Sequence, residues 1–371
     1  MECRRCIMSD EHDPDIDFDG DGLCNHCRRY DELCSSRVFE GQDGQDRLDE
    51  LIAKIKRTGK NKEYDCIIGV SGGVDSTYLA YLAKKLGLRP LAIHFDNGWN
   101  SNLAVKNIEK VLTKLEIDLH TYVIDWPEFK SLQLSFLHAS VPDGEIPTDH
   151  AIDSLLWQEA SKRKIKYILS GMNFATESLS VPSWAYGHSD WKYIKAIHKK
   201  FCGEKLKNFP YYTFFSLFYY NFIKNVRIVS ILNYINYDKD EAMKVLNKEL
   251  NWEYYGGKHY ESIYTRFFQG YILPEKFNID KRVGHLSDLI NSGQISKEEA
   301  KNRLKEPVYP DKYFLEDYQY VLKKFDLSKD EFDNILKAEI KSFRDYPNSY
   351  NLVQFMRKCI NVLRKYNLYP K

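Results

Sequence analysis

The chain has 371 residues, more than one domain usually takes, and its 43% hydrophobic content can bury a sizeable core. Lys and Arg number 54 against 53 Asp and Glu, so no global field recruits nucleic acid or an anionic membrane. The first twenty residues, MECRRCIMSDEHDPDIDFDG, lack a basic stretch followed by an apolar one, which argues against a secretory leader and for a cytoplasmic protein.

Residues 1–30 hold two Cys-x-x-Cys pairs, Cys3/Cys6 and Cys24/Cys27, joined by the acidic, Gly-rich loop DEHDPDIDFDGDG. Such a composition cannot fold on apolar burial alone. In a reducing compartment the spacing favours metal over disulfides. Four thiolates suit tetrahedral Zn²⁺ and leave no open coordination position, so the site is expected to be structural, with a rubredoxin-like iron site as the alternative. His12 and His26 would serve as ligands only if a cysteine dropped out. Of the other cysteines, Cys34, Cys66, Cys202 and Cys359 are scattered, and Cys66 reads as core strand.

Leu48, Leu51, Ile52 and Ile55 predict an amphipathic helix over RLDELIAKIK. From residue 65 the pattern alternates: strand CIIGV, helix STYLAYLAKKLG, strand RPLAIHFDNG, helix NLAVKNIEKVLTKLE, strand LHTYVID, helix AIDSLLWQEASKRK and strand KYILSG. That alternation predicts an α/β fold with a doubly wound parallel sheet.

After about residue 185, Lys192, Lys195, Lys199, Lys200, Lys205 and Lys207 crowd one segment, and the aromatic tract NFPYYTFFSLFYYNFIKNV follows. The tract is shorter than the roughly 20 apolar residues a membrane span needs and contains Asn208, Pro210 and Asn221. It reads as an aromatic core or substrate wall, or as an interfacial or partner-binding surface. The C-terminal third reads as helical, with capping boxes at Ser296/Glu299 and Ser328/Glu331. Three regions result: a zinc-binding module at 1–45, a nucleotide domain at 46–185, and a basic, aromatic and helical substrate or partner region at 186–371.

The stretch Ser71-Gly72-Gly73-Val74-Asp75-Ser76 carries the chemistry. A strand that turns through Ser-Gly-Gly into a helix presents backbone N–H groups at the helix N-terminus, where the dipole favours an anion. The glycines permit turn angles and a close approach that a Cβ would block. Asp75 would repel a phosphate unless a cation lay between them, which implies Mg²⁺. No Gly-Lys-Ser/Thr closes the loop, so it is not a Walker A sequence. Asp96, ending the second strand, and Gly171 and Glu177 of the segment SGMNFATES stand at the carboxyl edge of the predicted sheet, where open α/β sheets bind ligands.

SGGVDS after a hydrophobic strand resembles the PP-loop of the ATP pyrophosphatase superfamily, which includes asparagine synthetase, GMP synthetase, NAD synthetase and tRNA thiolases. The resemblance implies that Ser71, Gly72, Gly73, Asp75 and Ser76 hold the pyrophosphate that leaves when ATP adenylates a substrate oxygen. It places Asp96 and Gly171 near the nucleotide and makes Glu177 a second Mg²⁺ ligand beside Asp75. The stretch YILPEKFNIDKR resembles asparagine synthetase and makes Lys281 and Arg282, with Lys258 and Arg266, candidates to touch phosphates.

No glutaminase cysteine follows the initiator Met, and no Gly-x-Cys-x-Gly nucleophile is present. Over nearly the whole chain, the order of cysteine knuckles, GVSGGVDSTYLA, HFDNGW, SGMNFATES, GGKHYESIYTRFFQGYILPEKFNIDKR and HLSDLI is similar to the N-acetyl sugar amidotransferase family of surface-polysaccharide (lipopolysaccharide, O-antigen) biosynthesis. That resemblance implies ATP-dependent conversion of the acetamido group of a nucleotide-linked sugar into an acetamidino group. It implies ammonia from separate glutaminase and channel subunits similar to those of imidazole glycerol phosphate synthase. A tRNA-modifying, thiolase-like PP-loop enzyme is the alternative, weakened by the neutral net charge and by the absence of a cysteine pair after the loop.

Overall fold

The computed structural model describes residues 1–355; Cys359 lies outside the described residues. Helix α1 (Asn25–Arg37) grows directly out of the second cysteine knuckle, and α2 (Gly41–Gly59) follows it. Leu48, Ile52 and Ile55 of α2 are buried, as their spacing predicts, with Leu51 partly buried beside them.

The central sheet is built from β1 (Cys66–Gly69), β2 (Pro90–Asp96), β3 (Leu119–Val123), β4 (Tyr167–Ser170) and β5 (Arg227–Ser230). Their order is β3-β2-β1-β4-β5, and every pairing is parallel. Crossovers are made by α3 (Val74–Lys85), α4 (Asn102–Leu115), α5 (Trp126–Ala139) and α6 (Ile146–Lys162). Because successive side chains leave a strand on opposite faces, β1 feeds two cores. Cys66 and Ile68 join the core formed with α2 and α3, whereas Ile67 joins Leu91, Ile93 and Ile168 in the core formed with α5 and α6. Each of these fully buried aliphatic side chains contributes roughly 1.5–3 kcal/mol of transfer free energy.

β5 has no counterpart in the sequence reading. It is four residues long, its Arg227 and Ile228 are exposed, and it directly follows the aromatic tract, so neither length nor alternation marks it. It brings the region after residue 186 into the same sheet as β1. The tract itself folds as α9 (Phe214–Phe218) continued by a π-helical turn at Tyr219–Ile223. Among the described residues no helix is long and apolar enough to cross a membrane. The C-terminal part is helical as expected. The capping box at Ser328/Glu331 closes in both directions, whereas Ser296 is capped by the Glu299 amide alone, since the Glu299 carboxylate pairs instead with Arg303 at 2.6 Å.

Candidate active site and metal centre

Helices lie on both faces of the sheet, and the chain reverses its winding between β1 and β4, which opens a crevice at the carboxyl ends of these strands. The Ser71–Ser76 loop enters it from β1. Gly72 has φ +83°, and a Cβ there would stand 2.8 Å from the Ala104 carbonyl oxygen; glycine is required on both counts. The Ser71 and Ser76 hydroxyls lie 3.2 Å apart, and Gly73 N–H donates to Ser71 Oγ at 3.2 Å. The first-turn amides of α3 have no intrahelical acceptor; that of Val74 donates to the Tyr255 hydroxyl at 3.2 Å. The loop therefore offers two hydroxyls and a helix N-terminus to an anion.

Gly171 leaves β4 against this loop. A Cβ on it would come within 3.0 Å of Asp75 C and Ser76 N, so its glycine character lets β4 pack on the start of α3. Two residues later Asn173 Nδ2 donates to Asp75 Oδ1 at 3.3 Å, and the Tyr237 hydroxyl donates to the same oxygen at 2.6 Å. Burial, then the Asp75 and Glu177 charges, push the Tyr237 phenol far above its ordinary range, so it stays a donor. Asp75 Oδ2 takes no hydrogen bond among the described residues.

Trp252, Tyr255 and Glu261 cover the loop from the other side. Trp252 Nε1 donates to Gly72 O at 3.0 Å. The Glu261 carboxylate faces Gly73, with Oε1 3.3 Å from where a Gly73 Cβ would stand, and its Oε2 is buried without a hydrogen-bond partner. Burial acts to raise the Glu261 carboxyl, but His259, 3.6 Å away, holds it below the usual carboxylate range. Glu261 is thus a second carboxylate at the loop that sequence reasoning missed; the run Trp252 to Glu261 carried the signal only as an aromatic, Gly-Gly-interrupted stretch. Magnesium is commonly held by one or two carboxylates together with phosphates, and Asp75 with the orphaned Glu261 oxygen fits that donor set.

Glu177 sits one step further out. It pairs with Lys258 at 3.4 Å on the wall of a cavity of about 580 Å³. Lys258, Arg266, Lys281 and Arg282 all line this cavity. They are not equivalent. Arg266 is clamped by Asp317 at 2.7 Å and flanked by Tyr260 and Tyr313. Arg282 is held by Asp280 at 2.8 Å and by the Glu306 carbonyl at 2.9 Å. Lys281 makes no ion pair among the described residues. His285 Nδ1 lies 3.3 Å from both Lys258 Nζ and the Thr176 carbonyl, and burial followed by the charges of Lys258 and Lys239 keeps the ring neutral. Two segments join loop and cavity: residues 173–177 reach from Asp75 to Glu177, and residues 252–261 from the loop to Lys258 and His259.

Asp96 ends β2 and accepts from the Gly98 amide at 2.9 Å and from Asn100 at 3.2 Å. It fixes the turn at the carboxyl edge and lines a separate groove with His94 and Thr121.

The four cysteines Cys3, Cys6, Cys24 and Cys27 are fully buried with their sulfurs gathered within 4.8 Å of one another. Cys3 and Cys27 are 3.8 Å apart, Cys6 and Cys24 3.7 Å. A tetrahedral zinc with Zn–S bonds of about 2.3 Å requires sulfur separations of about 3.8 Å. The set therefore fits zinc with no position left for substrate. Neither histidine joins it: His26 Nε2 bonds Asp13 at 2.7 Å and His12 Nδ1 bonds Ser9 at 2.9 Å. The module rests on the cavity wall, since Trp184, a cavity residue, donates to the His12 carbonyl at 2.8 Å.

Sequence comparison agrees with this geometry. Residues 65–156 match the family described as queuosine biosynthesis protein QueC, and residues 261–359 match the family described as LPS biosynthesis protein WbpG-like, C-terminal domain. An uncharacterized protein of Methanocaldococcus jannaschii, MJ1599, is 21% identical over 327 residues, covering 85% of this chain and 97% of that protein. The 7-cyano-7-deazaguanine synthase of Nitratiruptor sp. is 34% identical over 71 residues, 19% of this chain and 32% of that enzyme, so the chain spans about a third of its length. Among solved structures, the NH3-dependent NAD synthetase of Campylobacter jejuni aligns over 56% of this chain and 85% of its own, at 17% identity and a TM-score of 0.29.

Fold, loop and family match agree on a class: the parallel sheet and the Ser71–Ser76 loop are those of a PP-loop ATP-utilising domain, and residues 65–156 are similar to a family of that kind. Its C-terminal third, residues 261–359, is similar to a family described by its role in lipopolysaccharide biosynthesis.

Proposed function

We propose that the protein is an ATP-dependent, AMP-forming amidotransferase that turns the N-acetyl group of a nucleotide-linked sugar into an acetamidino group with ammonia. The observation that carries the reading is the junction of the Ser71–Ser76 loop with the Lys258/Lys281 cavity through residues 173–177 and 252–261. A phosphate-gripping loop thus adjoins a cation-lined chamber in the part of the chain similar to the WbpG-like family.

In this reading the amides and hydroxyls of the loop hold the β and γ phosphates of ATP. Mg²⁺, held through Asp75 with Glu261 or Glu177, would neutralise phosphate charge. The amide oxygen of the sugar attacks the α phosphorus in line, the P–O bond to pyrophosphate breaks, and the oxygen now carries AMP. An amide carbonyl is a poor electrophile, and adenylation supplies the leaving group it lacks. Ammonia then bonds the amide carbon, AMP departs with the former amide oxygen, and the surplus proton passes to a base or to solvent. The chain's contribution is positioning and electrostatic stabilisation, with water excluded from the adenylated intermediate. Lys258 and Lys281 would meet the sugar nucleotide's diphosphate. Because no glutaminase nucleophile is recognisable in the sequence, separate glutaminase and channel subunits would supply the ammonia.

The test is to incubate the zinc-loaded protein with Mg-ATP, an ammonium salt and a panel of UDP-N-acetyl sugars. Pyrophosphate release together with the mass change of an oxygen-to-NH exchange on one sugar is the expected result. Pyrophosphate released only when tRNA is added would replace this reading with the tRNA-modifying one.

A further inference from the structure

The aromatic tract takes no part in the site described above, and its exposure is hard to reconcile with water. In the ten residues from Phe214 to Ile223, Phe215 is 88% exposed, Ile223 64%, Phe222 59%, Phe218 57% and Tyr219 43%. Positions 215, 218 and 222 fall on one helical face, and 219 and 223 flank it. The opposite face is anchored: Tyr220 stacks on Trp157 with ring centroids 5.8 Å apart and planes 8° from parallel. The outward face is thus held out by a fixed inner one.

Along the chain beside this face the charges have one sign. From residue 205 to 237 the chain contains Lys205, Lys207, Lys224 and Arg227 and no Asp or Glu, although the whole chain is near neutrality. Lys224 caps the helix with its ammonium 5.3 Å from the Tyr219 ring, Lys166 donates to the Lys224 carbonyl, and the Arg227 amide donates to the Lys166 carbonyl at 2.8 Å. Among the described residues none of Lys166, Lys224 and Arg227 forms an ion pair.

We propose that the helix over residues 214–223, with Lys166, Lys224 and Arg227, is a docking surface for an anionic lipid bilayer. Exposed aromatic rings on one helical face beside unpaired cations are the requirements of a helix that lies in the headgroup boundary. The helix cannot span, because ten residues rise about 15 Å against a hydrocarbon core of about 30 Å. It would hold the enzyme flat on the membrane through the starting edge of β5, while the crevice opens at the opposite, carboxyl ends of the strands.

Vesicle sedimentation tests the assignment on the full, zinc-loaded chain. Three unpaired cations predict binding to phosphatidylcholine vesicles containing a third phosphatidylglycerol that is on the order of a hundredfold tighter than binding to phosphatidylcholine alone, and that weakens in high salt. The triple variant F215S/F218S/F222S should keep the wild-type melting temperature and stay in the supernatant with both vesicles. The double variant K224Q/R227Q should keep only about the fivefold preference that Lys166 alone supplies. A wild-type protein that ignores anionic vesicles at low salt, or a triple variant that pellets like wild type, overturns the proposal. If the wild type ignores vesicles and sediments as a dimer that the triple variant breaks, the face belongs to a second copy. If instead it ignores vesicles and binds a purified glutaminase subunit that the triple variant does not, the face belongs to that protein.

Discussion

The Tyr237 hydroxyl donates to Asp75 Oδ1 at 2.6 Å, joining residues 162 positions apart in the chain. Asn173 donates to the same oxygen at 3.3 Å, so one carboxylate oxygen is committed to the protein and Oδ2 is left for a cation. Asp75→Asn should therefore abolish metal-dependent nucleotide chemistry without unfolding the chain. Pyrophosphate release should fall on the order of 10²–10³-fold, and Mn²⁺ binding followed by electron paramagnetic resonance should weaken in parallel. Tyr237→Phe should instead cost about 1 kcal/mol of stability, the size of one hydrogen bond, read as a lower urea midpoint.

Glu261 and Glu177 can be told apart by the same resonance measurement. Glu261→Gln should weaken Mn²⁺ binding in the presence of ATP, because its buried Oε2 at the loop has no other partner. Glu177→Gln should leave Mn²⁺ affinity nearly unchanged and raise KM for the sugar, because it releases Lys258. The reverse pattern would return the second ligand to Glu177.

Lys281 and Arg282 are adjacent in sequence and differ in surroundings. Arg282→Ala removes the partner of Asp280 and of the Glu306 carbonyl, and should lower the melting temperature by several degrees, as expected for a loss of about 1–3 kcal/mol. Lys281→Ala should leave the melting temperature within a degree or so and raise KM for the nucleotide sugar. Equal melting behaviour of the two variants would contradict the structure.

Cys3→Ser and Cys24→Ser should each lose zinc, measured by elemental analysis, together with soluble yield, because a closed four-thiolate site contributes to folding itself. The effect should reach the cavity. Trp184 donates to the His12 carbonyl within the metal loop, so its fluorescence should shift when a chelator strips the metal. Retained zinc in both variants would exclude the four-cysteine assignment.

His285 gives a pH dependence with a definite sign. Its folded-state pKa lies well below the unfolded value, from burial first and then from Lys258 and Lys239. The unfolded chain therefore takes the proton first, and this stabilising contribution, fully present above about pH 6.5, is lost as pH falls below it. Asp288 on the same helix, pushed up to about 6 by burial, acts in the opposite sense. The comparison is consequently wild type against His285→Gln: the urea midpoint of the wild type should drop more between pH 7.5 and pH 5.5 than that of the variant.

Much of the fold was legible because its signals are local. Leu48, Ile52 and Ile55 mark the face of α2 within eight residues, and β1, the loop and α3 follow one another without interruption. β5 escaped, since a four-residue edge strand with two exposed residues carries no periodicity. The surroundings of the loop escaped as well. Trp252 and Tyr255 reach Gly72 and Val74 across 180 and 181 positions, and nothing in the composition of either segment refers to the other.

The amino-acid sequence alone determined the kinds of groups present: a loop whose glycines and hydroxyls can hold phosphates, and four cysteines at the spacing of a metal site. Such features depend on neighbours along the chain, where covalent geometry fixes what can meet. Which carboxylate faces the loop, which cations are free and which are clamped, and which aromatic rings turn outward were decided by the tertiary structure. Those outcomes rest on contacts between distant segments, whose pairing is set by how whole helices and strands bury their apolar faces together.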